Sequence, residues 1–196
     1  MRKTKDWWND WLEAGMLATA AVCLIYFLIT GAWAKVLECV LILTVLIGIR
    51  ILVRAKKTSF FPALRLSILL FICLTMFAAN LFGLYGVISH LDDIEHLASG
   101  MILSFVGLLV FKQVSRHSRS DHDRSSIVPV WFCWFFAVAM AGCWEIFEFA
   151  SDRLFAMNNQ GGGLVDTMGD IINGTLGATL TVMYLASQAK RGKLPL

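Results

Sequence analysis

Six long apolar runs, separated by short polar segments, dominate this sequence of 196 residues. Each run holds roughly 20 residues, the length that an α-helix needs to cross the hydrocarbon core of a bilayer. Strands of a membrane barrel would instead appear as short segments of alternating polarity, and none are evident. We therefore predict an all-α, polytopic transmembrane helical bundle with six spans, at about residues 14–33, 36–53, 64–88, 91–111, 127–149 and 164–186.

The composition supports a membrane protein over a soluble domain. Hydrophobic residues make up 58% of the chain and charged residues only 16%, whereas a soluble domain carries about 25% charged residues. The net charge is +3, but the basic residues lie in short segments beside the predicted spans. We therefore expect the lipid bilayer as the partner and no nucleic acid.

The distribution of charge predicts the orientation of the chain. Of the 17 Lys and Arg residues, all but Lys35 and Arg153 fall at the N-terminus, in the second and fourth connections, or in the tail. Because Lys and Arg accumulate on the cytoplasmic side of membrane proteins, both termini are predicted to be cytoplasmic. Nine of the 14 acidic residues fall at the opposite, outer ends of the spans. The outer side of the protein is therefore expected to be acidic.

The predicted domain organisation is simple. Residues 1–12 combine basic residues with Trp7, Trp8 and Trp11, a pattern typical of an interfacial anchor. Residues 13–189 are predicted to form one six-helix transmembrane domain, and residues 190–196 a basic cytoplasmic tail. The first two spans carry no evident polar constellation, so we expect them to serve as a lipid-facing scaffold.

Polar residues recur at helical spacing in the last three spans. The fourth begins with Asp92 and His96 at i and i+4, which places both side chains on one helical face. The fifth ends with a second such face and the sixth begins with a third. These faces consist of Glu145, Glu148 and Asp152, and of Asp166, Asp170 and Asn173. All three faces are predicted to converge at the outer side of the membrane.

A cluster of carboxylates at this depth needs compensation, because each one repels the others and loses hydration. Helical bundles bind metals through carboxylates and imidazoles that project inward from several helices. Oxygen ligands with one or two imidazoles suit Mn, Fe or Zn better than Mg. The predicted metal ligands are Asp92, His96, Glu145, Asp166 and Asp170. Glu148 or Asp152 is the predicted acid or base, with Asn173 and Asp93 in support. A hydrogen-bonded structural network and a site that translocates protons or cations remain open alternatives.

Three motifs in these spans resemble a known family. Residues 91–100, LDDIEHLASG, are similar to the Y-D-x-x-x-H-F-x-x-G signature of the YjdF-like inner-membrane family (DUF2238). Residues 144–149, WEIFEF, resemble its aromatic-E-x-x-E-W element, and residues 166–177 resemble its D-T-x-x-D element. A looser form of the same motifs is similar to the VanZ-like family. The resemblance implies a multi-pass protein of the bacterial inner membrane and does not determine an activity.

Two classes of function follow from these observations. The first is a metal-dependent hydrolase or transferase that acts on a lipid or a lipid-linked phosphate at the outer leaflet, since a metal polarises a phosphoryl oxygen and activates water. The second is a cation or proton transporter, or a structural or regulatory membrane protein, that uses the same acidic cluster without catalysis. The sequence leaves the substrate, the identity of the metal and the oligomeric state open.

Overall fold

The computed structural model describes residues 6–54, 61–115, 127–155, 160–161 and 163–194. These residues form helices and no strand, so the all-α prediction is confirmed for this part of the chain. The helices are α1 (Trp7–Thr30), α2 (Trp33–Arg54), α3 (Pro62–Ile72), α4 (Leu91–Val114), α5 (Val128–Phe155) and α6 (Leu164–Lys190).

Two glycines in the left-handed region end the helices that precede them. Gly31 has φ +72° and terminates α1. Helix α3 continues as a π-helical segment, Cys73–Leu81, which stops just before Gly83 with φ +76°. Glycine adopts such a conformation without the steric cost that a Cβ atom adds. The third predicted span therefore ends earlier than residue 88.

Five helical stretches are long and apolar enough to cross a membrane, namely α1, α2, α3 with its π-helical extension, α4 and α5. Helix α6 is longer than most of them, but its polar residues and glycines lower its hydropathy. The fifth helix extends beyond its predicted end at residue 149, so Asp152 also lies on a regular helix.

The chain divides into two units, residues 1–89 and residues 90–196. The first unit contains α1, α2 and α3 with its π-helical extension, whose apolar side chains form a continuous core. That core consists of Met16, Ala20, Cys39, Ile42, Leu46, Leu69, Ile72, Phe77 and Leu81. The division proposed from the sequence into residues 1–12, 13–189 and 190–196 stays a prediction.

A network of charged side chains lies within the first unit, where the sequence led us to expect none. The Arg65 guanidinium is buried and contacts Asp6 at 3.2 Å, Asp10 at 2.8 Å and Glu13 at 2.6 Å. Glu13 is itself buried and also lies 3.3 Å from Nε of Arg50. The expectation that the first two spans carry no polar constellation was therefore wrong at their ends, where Glu13 and Arg50 form an ion pair, while their role as a lipid-facing scaffold stays a prediction. Five side chains connect the ends of all three helices.

The second unit contains α4, α5 and α6, and its main feature is the close approach of α4 to α6. A Cβ atom on Gly100 would collide with the Gly174 carbonyl, and one on Gly177 would collide with the Leu97 carbonyl. Only glycine allows two helix backbones to approach this closely. These contacts lie about one turn beyond His96 and Asp170, so the polar side chains of α4 and α6 are held near each other.

Candidate functional site

The centre of the site is formed by Asp92, His96 and Asp170. Asp92 and His96 lie one turn apart at the start of α4, and Asp170 lies in the second turn of α6. Nε2 of His96 is 3.6 Å from Oδ1 of Asp92 and 3.7 Å from Oδ1 of Asp170. One ligand atom from each residue lies within 4.8 Å of the other two. These separations are too long for direct hydrogen bonds and leave space for an ion between the three atoms.

We refer to Asp92, His96 and Asp170 as the triad. Their side chains are buried to different extents. The side chain of Asp170 is 4% exposed and that of His96 is 10% exposed, whereas that of Asp92 is 45% exposed. Oδ2 of Asp170 has no hydrogen-bond partner among the described residues. An unpaired carboxylate at this depth is costly, because a buried charge needs a partner. The triad is thus closed on the Asp170 side and open on the Asp92 side.

Glu145 of α5 is a further buried carboxylate of the unit, besides Asp170 and Glu95. It is 4% exposed, and within the described part of the chain neither carboxylate oxygen has a hydrogen-bond partner. The Thr167 hydroxyl interacts favourably with this carboxylate, although no contact between them meets strict hydrogen-bond geometry. Glu145 lies within electrostatic range of Asp92 and Asp166. The acidic face of α5 therefore lies close to the acidic faces of α4 and α6, although Glu145 is not part of the compact triad.

The two predicted acid–base residues differ in their surroundings. Oε1 of Glu148 accepts a hydrogen bond of 2.8 Å from the Trp144 indole, and Glu148 lies within electrostatic range of Glu145 and Asp92. Asp152 accepts a hydrogen bond of 3.0 Å from the backbone N–H of Gln160. The structure thus brings Glu148 to the acidic cluster and ties Asp152 to the segment after α5.

The remaining predicted residues connect α4 with α6. Nδ2 of Asn173 donates a hydrogen bond of 2.6 Å to Oδ1 of Asp93. The other carboxylate oxygen of Asp93 lies 2.9 Å from Nδ1 of the exposed His90. Asp166 is half-buried and acts electrostatically on Asp92, His96 and Asp170.

Sequence reasoning missed three residues beside the site. Thr167 precedes Asp170 by three positions and shares its helical face, so its spacing was an available signal. Its hydroxyl accepts a hydrogen bond of 2.7 Å from the Gln160 amide. Nothing in the sequence marked Gln160, because its contact depends on how the segment between α5 and α6 folds back. The third missed residue is Trp144, whose hydrogen bond to Glu148 is consistent with their i, i+4 spacing on one helix.

The fold and this site define a class: a multi-pass helical membrane protein with an acidic cluster, centred on a histidine, in its second unit. Residues 12–191 match the family described as predicted membrane protein (DUF2238), and the chain belongs to that family. Membership predicted from the three motifs is therefore confirmed. No curated protein and no solved structure matches the chain.

Proposed function

We propose that this protein binds a divalent transition metal through Asp92, His96 and Asp170 and uses it as a hydrolase or transferase acting on a lipid or lipid-linked phosphate. The observation that carries the proposal is the convergence of these three ligand atoms within 4.8 Å, with one Asp170 oxygen buried and unpartnered. Two carboxylates and an imidazole are suitable ligands for Mn, Fe or Zn.

The number of ligands favours a catalytic site over a structural one. Structural zinc sites have four protein ligands, whereas catalytic sites have three and keep a position for water or substrate. The half-exposed Asp92 leaves one side of the triad accessible. A metal bound there would polarise a phosphoryl oxygen and lower the pKa of a bound water. Glu148 is our candidate for proton transfer, while ligation by Glu145 and Asp166 and a role for Asp152 stay predictions.

We further propose that α6 is the sixth span, so that both termini are cytoplasmic and the site lies at the periplasmic side of the bacterial inner membrane. The exposed positions of α6 between its first turn and residue 189 are all apolar, while Asp170 and Thr181 are buried. Its low overall hydropathy therefore comes from residues that face inward. The exposed stripe consists of Leu164, Val165, Met168, Ile172, Leu176, Leu180, Met183 and Tyr184. A more distant relationship to the VanZ-like family belongs to the same proposal.

A second candidate, a non-catalytic cation transporter, is favoured by the charge of the site. Among the described residues no Lys or Arg forms an ion pair with the triad carboxylates, with Glu145 or with Glu148. Arg153, on the same helix as Glu145, lies over the Phe149 ring at 5.3 Å. An anionic substrate would therefore rely on bound cations for its attraction to the site.

Elemental analysis of protein purified in detergent tests the metal site. We expect about one transition-metal ion per chain, with loss of the ion in His96→Ala and Asp170→Asn. His90→Ala is the matched control, since this exposed histidine lies outside the triad. A wild-type protein that is folded and metal-free after incubation with Mn, Fe and Zn would contradict the proposal.

Two assays separate the two candidate functions. For the enzyme, we expect metal-dependent release of phosphate from vesicles that contain phosphatidic acid, with activity lost in His96→Ala and retained in His90→Ala. For the transporter, sealed proteoliposomes would take up Mn²⁺ in a manner that depends on His96, without phosphate release. The second outcome would reject the hydrolase and keep the metal site.

A further inference from the structure

The basic residues at the end of α6 lie on a short loop that is anchored on both sides. Ala189, just before the loop, and Leu194, just after it, are both buried and belong to the same apolar cluster. Between them Lys190, Arg191 and Lys193 are exposed. The three basic side chains, which we call the basic loop, are therefore held at the surface of the second unit.

The backbone of this loop turns back toward the bundle at Gly192, which has φ +63°. The N–H of Gly192 donates a hydrogen bond of 2.9 Å to the Ala189 carbonyl, and the N–H of Lys193 donates one of 2.9 Å to the Gln188 carbonyl. This pair of bonds is the Schellman arrangement, which ends helices at a left-handed glycine. The turn brings Leu194 into a cluster to which α4, α5 and α6 all contribute. The loop thus has a defined conformation.

The charge of the basic loop is not compensated by the described part of the second unit. All described carboxylates of this unit lie at the start of α4, at the end of α5 and at the start of α6. The opposite ends of these three helices meet in the apolar cluster beside the loop. In the described chain no carboxylate forms an ion pair with Lys190, Arg191 or Lys193. The loop is therefore available to an anionic partner.

The depth of the loop indicates which anion it meets. Tyr184, the last residue of the exposed apolar stripe of α6, has a side chain typical of the membrane interface. Lys190 follows six residues later, about 9 Å further along the helix axis at the helical rise per residue. This distance leads from the interface toward the phosphate groups of the lipids. A soluble anion would have no reason to be met at this depth.

We propose that Lys190, Arg191 and Lys193 bind the headgroup of an anionic phospholipid at the membrane surface, at the end of α6 remote from the triad. Basic residues next to a span attract anionic lipids, and a guanidinium binds a phosphate through two parallel hydrogen bonds. The Gly192 turn and Leu194 hold the three cations in place before the lipid arrives, which reduces the entropic cost of binding. The inference rests on α6 crossing the membrane, as proposed above, and is independent of the metal site.

Native mass spectrometry of the protein in detergent tests the lipid site. The protein is titrated with phosphatidylglycerol and, for comparison, with phosphatidylcholine that has the same acyl chains. We expect saturable binding of phosphatidylglycerol and weaker binding of phosphatidylcholine. Arg191→Gln should lower the phosphatidylglycerol affinity about fivefold, the effect of one cation at a membrane surface. Arg153→Gln is the matched control, because it removes one positive charge at the acidic end of the same unit.

A second variant distinguishes a built site from general attraction between charges. Leu194→Ser keeps all three cations and removes the buried anchor, so the affinity should fall at least about threefold as the loop loses its fixed conformation. Unchanged affinity in this variant, or in Arg191→Gln, would overturn the proposed site. Equal binding of the two lipids, or displacement of phosphatidylglycerol by inorganic phosphate, would overturn the assignment to an anionic lipid.

The lipid site and the metal site fail independently. His96→Ala should lose its metal and keep its phosphatidylglycerol affinity, since the triad lies at the start of α4 and of α6. Loss of lipid binding in His96→Ala would show that the lipid binds at the triad and would overturn the inference. Circular dichroism of each variant identifies a protein that has failed to fold.

Discussion

Glu13 and Glu145 are both deeply buried carboxylates, one in each unit, and their surroundings are opposite. Glu13 is 1% exposed and contacts two arginines, Arg65 at 2.6 Å and Arg50 at 3.3 Å. Glu145 is 4% exposed and has no arginine or lysine among its electrostatic partners. The first unit thus supplies its own counter-charges, while the second leaves acidic groups uncompensated.

The difference indicates what each cluster does. The buried charges of the first unit lie next to opposite charges and need no ligand, so the network around Arg65 is structural: it joins α1, α2 and α3. A cluster with one sign of charge is unstable unless something binds to it. The second unit holds its helices together differently, through the glycine contacts between α4 and α6. Its charged groups are therefore available for a ligand.

The largest expected effect is the removal of Arg65. Arg65→Met leaves Glu13, Asp6 and Asp10 without their shared partner, and breaking a buried pair from one side costs about 3–5 kcal/mol. The free energy of unfolding in mixed micelles measures this loss. Arg54→Met, at the exposed end of α2, is the control. Equal stability of the two variants would show that the network is not structural.

Disrupting the glycine contact between α4 and α6 in the second unit is expected to have the next largest effect on stability. In Gly177→Ala the new methyl group collides with the Leu97 carbonyl, and such overpacking costs about 1–3 kcal/mol. The separation of α4 from α6 should also weaken Mn²⁺ binding, which calorimetry measures. Gly169→Ala, on the same helix with free space around its Cβ position, should keep both stability and affinity. Unchanged Mn²⁺ affinity in Gly177→Ala would show that the spacing of the ligands does not depend on the helix packing at this glycine.

Neutralising Glu145 should stabilise the protein, whereas any change in the Arg65 network should destabilise it. In protein freed of divalent cations, Glu145→Gln removes an uncompensated buried charge and is expected to raise the free energy of unfolding by about 1–2 kcal/mol. Glu13→Gln, the matched substitution in the first unit, should lower it. Thermal melting in the presence of EDTA compares the two. A loss of stability in both variants would mean that Glu145 has a partner in the folded protein.

The smallest effect concerns the hydrogen bond between Asn173 and Asp93. Asn173→Ala should cost about 1 kcal/mol, since the donor and acceptor belong to different helices and lie partly exposed. A double-mutant cycle with Asp93→Ala isolates the pairwise energy. A coupling energy near zero would show that this bond contributes nothing to the attachment of α4 to α6.

Much of the fold was predictable because bilayer-length apolar runs and helical periodicity are local properties. The helical class, the start of α4 near Asp92 and the start of α6 at Leu164 all agree with the sequence-based expectations. The end of the third span was misplaced, since apolar composition continues past Gly83 while the helix does not. The Arg65 network was missed although Asp6, Asp10 and Glu13 stand at i, i+4 and i+7. Their arginine partners lie far away in sequence, which a local pattern does not reveal.

The sequence by itself determined membership in the DUF2238 family, the helical architecture and the three acidic faces, because each depends on residue type and short-range spacing. Only the tertiary structure decided which acidic residues meet. It brings Asp92, His96 and Asp170 together, while Asp152 accepts a hydrogen bond from the segment after α5. It also shows that Glu13 is compensated and that Glu145 is not. Which side chains contact one another depends on how closely the helices pack. Between α4 and α6 this distance is set by glycines that touch the opposite backbone.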